Sequence, residues 1–317
     1  MATSQQVLNE MAAMEKRLLA AIKAGVPAPP VVPKPSLSYL PVIPGQVGYG
    51  MQTPAGRGGA VHKVTNLNPE GAGSLRAAVD AKGPRVAVFE VSGNIDLAVL
   101  THDVLVQHIR TRGGLTARRL LPLAIDNYVG TAYNIVMDHV STAWSTDDLI
   151  MSWWGAHDIT WSHVLATGEL FNTGVYPDCA GKVMLTDSKD SRLFMLASAL
   201  LTGYQRMPLA QANPFVFVNN LVYNWGGVGT QFQRQNTASG GEFVMDGNHY
   251  VKGPLNSLAW SPKPILLRDN WAPGVHIYLN GNYAPDWPIK EQWDLIDNQT
   301  AYSQADMQVS VPGAWPE

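Results

Sequence analysis

The stretch GYGMQTPAGRGGAVHKVTNLNPEGAGSLRAAVDAKGPRVAVFEVSGNIDL, Gly48 to Leu97, decides how this chain is read. It passes from a Gly-rich segment to a strand, then through a Gly/Asn/Pro turn into one short amphipathic helix at about Ser74 to Ala81. A second strand follows, ending in Ser-Gly-Asn-Ile.

Upstream, residues Ser4 to Ala24 are expected to form a helix. Ser4 is the N-cap, Val7, Leu8, Met11, Met14, Leu18, Leu19 and Ile22 recur at intervals of three and four, and Gly25 stops it. The apolar spacing approaches a heptad seam. The segment therefore pairs with copies of itself, docks on a larger assembly, or folds back on the body. Val26 to Pro35 is Pro-rich and favours an extended, semi-rigid spacer. Three regions follow: a helix for association or anchoring (1–25), a linker (26–44) and a β-rich body (45–317).

Downstream, strands are expected at Val61–Asn66, Arg85–Val91, Val104–Arg110, Asn134–His139, Asp158–His163, Leu193–Leu200, Phe215–Asn220, Glu242–Asp246, Ile265–Arg268 and Val275–Asn280. Several are spaced by roughly one solenoid coil, about 20 to 30 residues. Asn-containing turns recur beside them, at Asn134-Ile135, Asn219-Asn220, Gly247-Asn248 and Gly281-Asn282. In stacked coils such Asn side chains bond to the turn above. A β-sandwich with Asn-rich turns is the competing architecture.

Composition agrees with an all-β body. The chain has 317 residues, 29 Gly and 22 Pro, only 15% charged residues, and 10 Trp and 11 Tyr that offer packing area or sugar-stacking surfaces. A net charge of -3 gives no field that argues for nucleic acid. Cys179 is the only cysteine, so no intrachain disulfide forms, and the thiol reads as a buried structural group. No apolar run reaches the roughly 18 residues of a membrane span, and the N-terminus lacks the apolar core of a signal peptide. The expected location is a virion, or else the cytoplasm or secretion by another route.

The Gly48–Leu97 block resembles the start of the pectate lyase superfamily of right-handed parallel β-helices, in which the short helix plugs the end of the coil. Four further segments carry the same resemblance in the same order. They are Asn134-Ile-Val-Met-Asp-His139, then Ser141-Thr-Ala-Trp-Ser-Thr-Asp-Asp148, then Arg206-Met-Pro-Leu209 with Asn219-Asn-Leu-Val-Tyr-Asn-Trp-Gly226, and last Asp246-Gly-Asn-His-Tyr-Val251 through Leu279-Asn-Gly-Asn-Tyr283. The resemblance is closest to the family 1 polysaccharide lyases. It implies β-elimination on an acidic, uronate-containing polysaccharide, in which a base removes the proton alpha to the uronate carboxylate.

The resemblance also implies roles. Arg206 stands where the family places its base, Lys182 where a lysine meets the substrate carboxylate, and Asp147 and Asp148 where carboxylates hold calcium, with Asp126 a weaker ligand candidate. Strand alternation would point Asp147 and Asp148 to opposite faces, so one of them is expected to face the groove. Asp138-His139 reads as a structural turn network.

The chain also departs from the family. Gly113-Gly114 replaces an expected Gly-Asp, and Leu193 to Leu201 lacks the histidines and asparagine of relatives. These changes weigh against calcium. They also favour the competing reading, a non-catalytic polysaccharide-binding or structural virion protein on a lyase scaffold. A tailspike-type, particle-attached depolymerase is the other form of the expectation, with residues 4–24 as the docking or homo-oligomer element. Glycoside hydrolysis by two of Asp147, Asp148, Asp178 and Asp187 is a third chemistry the composition permits.

Overall fold

The computed structural model describes residues 41–92, 102–113, 123–126, 132–168, 170, 181–186, 191–233, 240–268 and 274–315. The expectations for the helix over 4–24, most of the Pro-rich linker, Cys179, Asp178 and Asp187 lie outside them.

The body opens with β1 (Ala60–Val64) and β2 (Arg85–Phe89), paired in parallel with Val61 opposite Val86. Between them lies the helix Leu75–Asp80. Its N-cap is Ser74, whose hydroxyl accepts from the Ala77 N–H at 3.1 Å and donates to the Gly71 carbonyl at 2.7 Å. Ala78 is the residue this helix buries.

All other strands fall into three parallel sheets. The first face holds β3 (Val104–Gln107), β6 (Tyr133–Asp138), β9 (His157–Ser162) and β12 (Leu193–Leu196). It continues with β15 (Phe215–Val218), β18 (Gly241–Asp246), β21 (Val275–Asn280) and β23 (Gln308–Val309). The second face holds β4 (Arg110–Arg112), β7 (Ser141–Ala143), β10 (Leu165–Thr167), β13 (Ala199–Gly203), β16 (Leu221–Trp225) and β19 (His249–Val251). The third holds β5 (Leu123–Asp126), β8 (Asp148–Trp153), β11 (Lys182–Thr186), β14 (Leu209–Ala210), β17 (Thr230–Phe232), β20 (Ile265–Leu267) and β22 (Ile296–Asn298). Through most of the stack each neighbour is three strands further along the chain, so each of those coils contributes one strand to each face, whereas β22 and β23 add to the third and first faces alone. This is a parallel β-helix, as expected, and not a sandwich.

Stacking in register makes the core a set of columns. Ile135, Ile159, Leu193, Phe215, Phe243 and Ile277 lie one above another inside the first face, all buried. Phe194, Val216 and Val244 point outward from the same strands. They are nevertheless buried, because Val47, Tyr49 and Trp315 pack against them. Burial on both sides explains why β12 and β15 read LFML and FVFV with no polar alternation.

The corner between the first and second faces is turned by one residue per coil with positive φ: His108 at 57°, His139 at 52°, His163 at 52°, Ala197 at 49°, Asn219 at 53°, Gly247 at 65° and Gly281 at 58°. The segment Leu193–Leu200, expected as one strand, is therefore broken at Ala197 into β12 and β13. The next residue of the later coils forms a buried ladder. Ser198 N–H donates to Asn220 Oδ1 at 2.9 Å, Asn220 N–H to Asn248 Oδ1 at 3.0 Å, and Asn248 N–H to Asn282 Oδ1 at 3.1 Å. Each Asn amide also donates to a strand carbonyl, Met195, Phe217 or Met245 in turn. This ladder satisfies backbone groups that the turn would otherwise bury unpaired. Asn134 is not part of it: it precedes Ile135 at the opposite end of the first face and donates to Asp103 at 3.0 Å.

Candidate active site

Asp147, Asp148, Lys182 and Arg206, four of the residues singled out by the sequence, meet where the third face begins. Asp148 is the first residue of β8, and Lys182, the first residue of β11, lies opposite it in register. Lys182 in turn bridges to Gln205 of the following coil. The three form a row with about 4.8 Å between neighbours. Asp147 is adjacent to the first member and Arg206 to the last, so three coils bring four charged side chains together.

The approach to β8 is tight. Four residues, Trp144 to Asp147, connect it to β7, and Trp144 has φ 62°. The Ser145 hydroxyl holds the turn, accepting from the Asp147 N–H at 3.1 Å and donating to the Asp148 carbonyl at 3.2 Å. Asp147 is thus in a bend and not in the strand. The alternation rule that would have sent the two carboxylates to opposite faces does not reach it. Arg206 has φ 60°, and its carbonyl accepts from the Met184 N–H at 2.8 Å, which ties the arginine turn to β11.

Two ion pairs result. Lys182 Nζ lies 3.0 Å from Asp147 Oδ1, and Arg206 Nη1 lies 2.9 Å from Asp148 Oδ2 and 3.3 Å from its Oδ1. Both carboxylate side chains are 0% exposed, whereas Lys182 and Arg206 keep 18% and 23% of their side-chain surface. The acids lie underneath and the cations reach solvent. Burial raises the Asp148 pKa to about 6; Arg206 opposes that shift most strongly, Asp147 adds to it and Lys182 works against it. Each carboxylate would be costly to bury without its cation.

Asp126 stands apart. It is the last residue of β5 and lies opposite Trp153, the last residue of β8, whereas Asp148 is the first. About 16 Å of strand separates the two positions. As placed, the acids do not fit a calcium site. Calcium takes six to eight oxygens, and here Asp147 Oδ1 is engaged by an ammonium and both Asp148 oxygens by a guanidinium, with Asp126 at the opposite end of the paired strands.

Asp138-His139 does form a turn network, centred on the Asp138 carboxylate, which accepts from Ser162, Gln107, His139 and His163. Trp144 escaped notice in the sequence, although an indole within the polar run Ser-Thr-Ala-Trp-Ser-Thr was a signal. It is half-exposed, three residues before Asp147, with the Arg112 guanidinium 5.8 Å from its ring centroid.

No family model matches the chain. It is, however, related in sequence to proteins described as probable pectate lyase C. The one from Aspergillus fumigatus is 28% identical over 281 residues, covering 78% of this chain and 61% of that protein. Those of Aspergillus flavus and Emericella nidulans are 27% and 28% identical, with the same 78% of this chain covered. The chain thus spans about three fifths of the length of the curated relatives it matches. Among solved structures it is similar to jun a 1, the major allergen from cedar pollen. The TM-score is 0.51 at 18% identity, covering 78% of this chain and 86% of that one, a likeness that concerns the fold.

Proposed function

We propose that this chain is a pectate lyase-like polysaccharide lyase that cleaves an acidic, uronate-containing polymer by β-elimination. The observation that carries the reading is the pair of surface cations, Lys182 and Arg206, each seated on a fully buried aspartate at one edge of a β-helix. The name shared by the sequence relatives supports the same substrate class.

Elimination requires that the proton alpha to the uronate carboxylate leave while its electron pair forms the new double bond and expels the glycosidic oxygen. Charge accumulates on the carboxylate during that step. Two cations held in place by buried partners can stabilise it without reorganising. Lys182 binds the carboxylate as a point charge. Arg206 is assigned to the proton transfer. A guanidinium ordinarily holds its proton across the working pH range, so a basic role requires a partner to take that proton. Asp148, bonded to Nη1 and with its own pKa pushed up to about 6, is placed for this. In this scheme the Nη1 proton passes to Asp148, the freed guanidine nitrogen takes the substrate proton, the departing oxygen is protonated by water, and the hydroxide so formed takes the Asp148 proton and restores the ion pair. No step is routed through calcium.

One observation favours a binding-only reading. Arg206 and Lys182 are both engaged by carboxylates, an arrangement that also suits static recognition of an anionic polymer. Polygalacturonate and other uronate polymers, followed by the ultraviolet absorbance of the unsaturated product, separate the two readings. Product that disappears in Arg206→Ala supports the lyase. Retained polymer binding with no product from any uronate supports the binder. Docking on a larger particle through residues 4–24 belongs to the same proposal, and deletion of those residues is expected to leave cleavage unchanged.

A further inference from the structure

A second cluster of chemically capable side chains lies at a different corner from the ion pairs, where the first face turns toward the second. Gln107, Asp138 and Ser162 are the last residues of β3, β6 and β9 and lie opposite one another in register. Each is followed by a histidine of positive φ, so three imidazoles project from successive coils. The rings of His139 and His163 stack with centroids 4.5 Å apart at 16°, and His108 sits 5.1 Å from His139, tilted by 43°.

The middle carboxylate gathers two of these imidazoles. Asp138 Oδ2 lies 2.8 Å from His139 Nδ1, and Oδ1 lies 3.2 Å from His163 Nδ1. The three residues offer ligand atoms within 4.8 Å of one another, the only such group among the described residues. We propose that Asp138, His139 and His163 form a binding site for a zinc-class divalent cation, joining two adjacent coils of the β-helix.

The donor set suits the ion. Two imidazoles and one carboxylate are a recurrent zinc set, with metal–ligand distances of about 2.0–2.2 Å. Ligands at that radius lie about 2.9 Å apart in an octahedral arrangement and about 3.4 Å apart in a tetrahedral one. The two N···O separations, one to each oxygen of Asp138, are of that size already, so a cation chelated by both oxygens can replace the shared protons as the two half-exposed rings draw together from a ligand spread of 4.8 Å. The outer shell is also in place. Ser162 donates to Oδ1 and Gln107 to Oδ2, at 2.9 Å for the latter, which fixes the carboxylate plane. His139 and His163 keep 49% and 36% of their side-chain surface, leaving an open side for entry and for water ligands.

The other His–Asp contacts of this face lack these properties. Asp103 meets a single imidazole, that of His102, besides the Asn134 amide, and Asp158, which meets His157, is also held by Arg192 Nη2 at 2.6 Å and by its Nε.

The test is a calorimetric titration of the full chain, freed of metal by chelator and dialysis, with zinc chloride, alongside its thermal unfolding with and without zinc. The proposal requires one zinc per chain and a rise in Tm. His139→Ala and His163→Ala must each weaken binding by at least about tenfold, whereas His108→Ala must not. These two histidines are half-exposed, so their variants test binding without emptying the core, which a change at buried Asp138 would risk. No zinc binding, binding undiminished in both variants, or binding abolished by His108→Ala overturns the site. So does calcium binding of equal strength that depends on the same histidines, because imidazole is a poor calcium ligand.

Discussion

Arg206→Ala is expected to destabilise the protein in a pH-dependent way. The Asp148 side chain is 0% exposed, its pKa is about 6, and the Arg206 guanidinium is the strongest influence holding it that low. Without the guanidinium the pKa rises further. Below about pH 5 the carboxyl is protonated in both folded proteins, and the variant loses only a hydrogen bond, about 1 kcal/mol. As pH rises through 6 the parent releases this proton and the variant retains it. The unfolded chains titrate alike, near the ordinary aspartate value. The variant then loses stability relative to the parent by about 1.4 kcal/mol per pH unit. The deficit reaches about 3–5 kcal/mol near pH 8, the usual cost of removing one partner from a buried pair. Urea denaturation followed by tryptophan fluorescence at pH 5, 6.5 and 8 measures it. Asp148→Asn combined with Arg206→Ala should abolish the slope. A deficit that is flat across this range would refute the claim that Asp148 is a buried anion held by Arg206.

Three other outcomes follow from the same geometry. Lys182→Ala should weaken binding of uronate oligomers by about ten- to hundredfold, the worth of a charged hydrogen bond; unchanged affinity by fluorescence titration would remove Lys182 from substrate contact. Cleavage of polygalacturonate should continue in excess chelator, because the cations on Asp147 and Asp148 already supply positive charge there, and activity lost to chelator and restored by calcium would contradict this. Asn248→Ala leaves the Phe217 carbonyl and the Asn220 N–H without their ladder partner, so urea denaturation should show a loss of about 3 kcal/mol. A loss below about 1 kcal/mol would mean that the ladder is replaceable by water.

The central strands of the first face were legible because they are strongly apolar and buried on both sides, as in Phe215–Val218. Apart from Ile265–Leu267, most of the shorter strands of the other faces were not. Ser141–Ala143 and Leu209–Ala210 carry too few residues to show a period, and they extend because they pair with the coil below. The repeated Asn-Asn and Gly-Asn pairs identified the corner in the later coils, because Asn and Gly tolerate positive φ and the amide that follows satisfies the turn, whereas the earlier coils turn at His108, His139, His163 and Ala197 without that signature. Asn134 misled for the same reason: it also has positive φ, but at the other end of the strand.

The sequence pointed to coiling through its resemblance to the pectate lyase β-helices, with apolar runs and turn residues recurring at about a coil's length in support, while those runs alone also suited a β-sandwich. The same resemblance nominated Asp147, Asp148, Lys182 and Arg206, with Asp126. Which of these would touch was decided only by the tertiary structure. Register between coils sets Lys182 opposite Asp148, and the bend at Asp147 frees that side chain from strand alternation. The same register carries Asp126 to the far end of its sheet and gathers His139 and His163 on one carboxylate. Contacts between coils depend on loop lengths that differ from coil to coil, and local sequence patterns carry no information about that alignment.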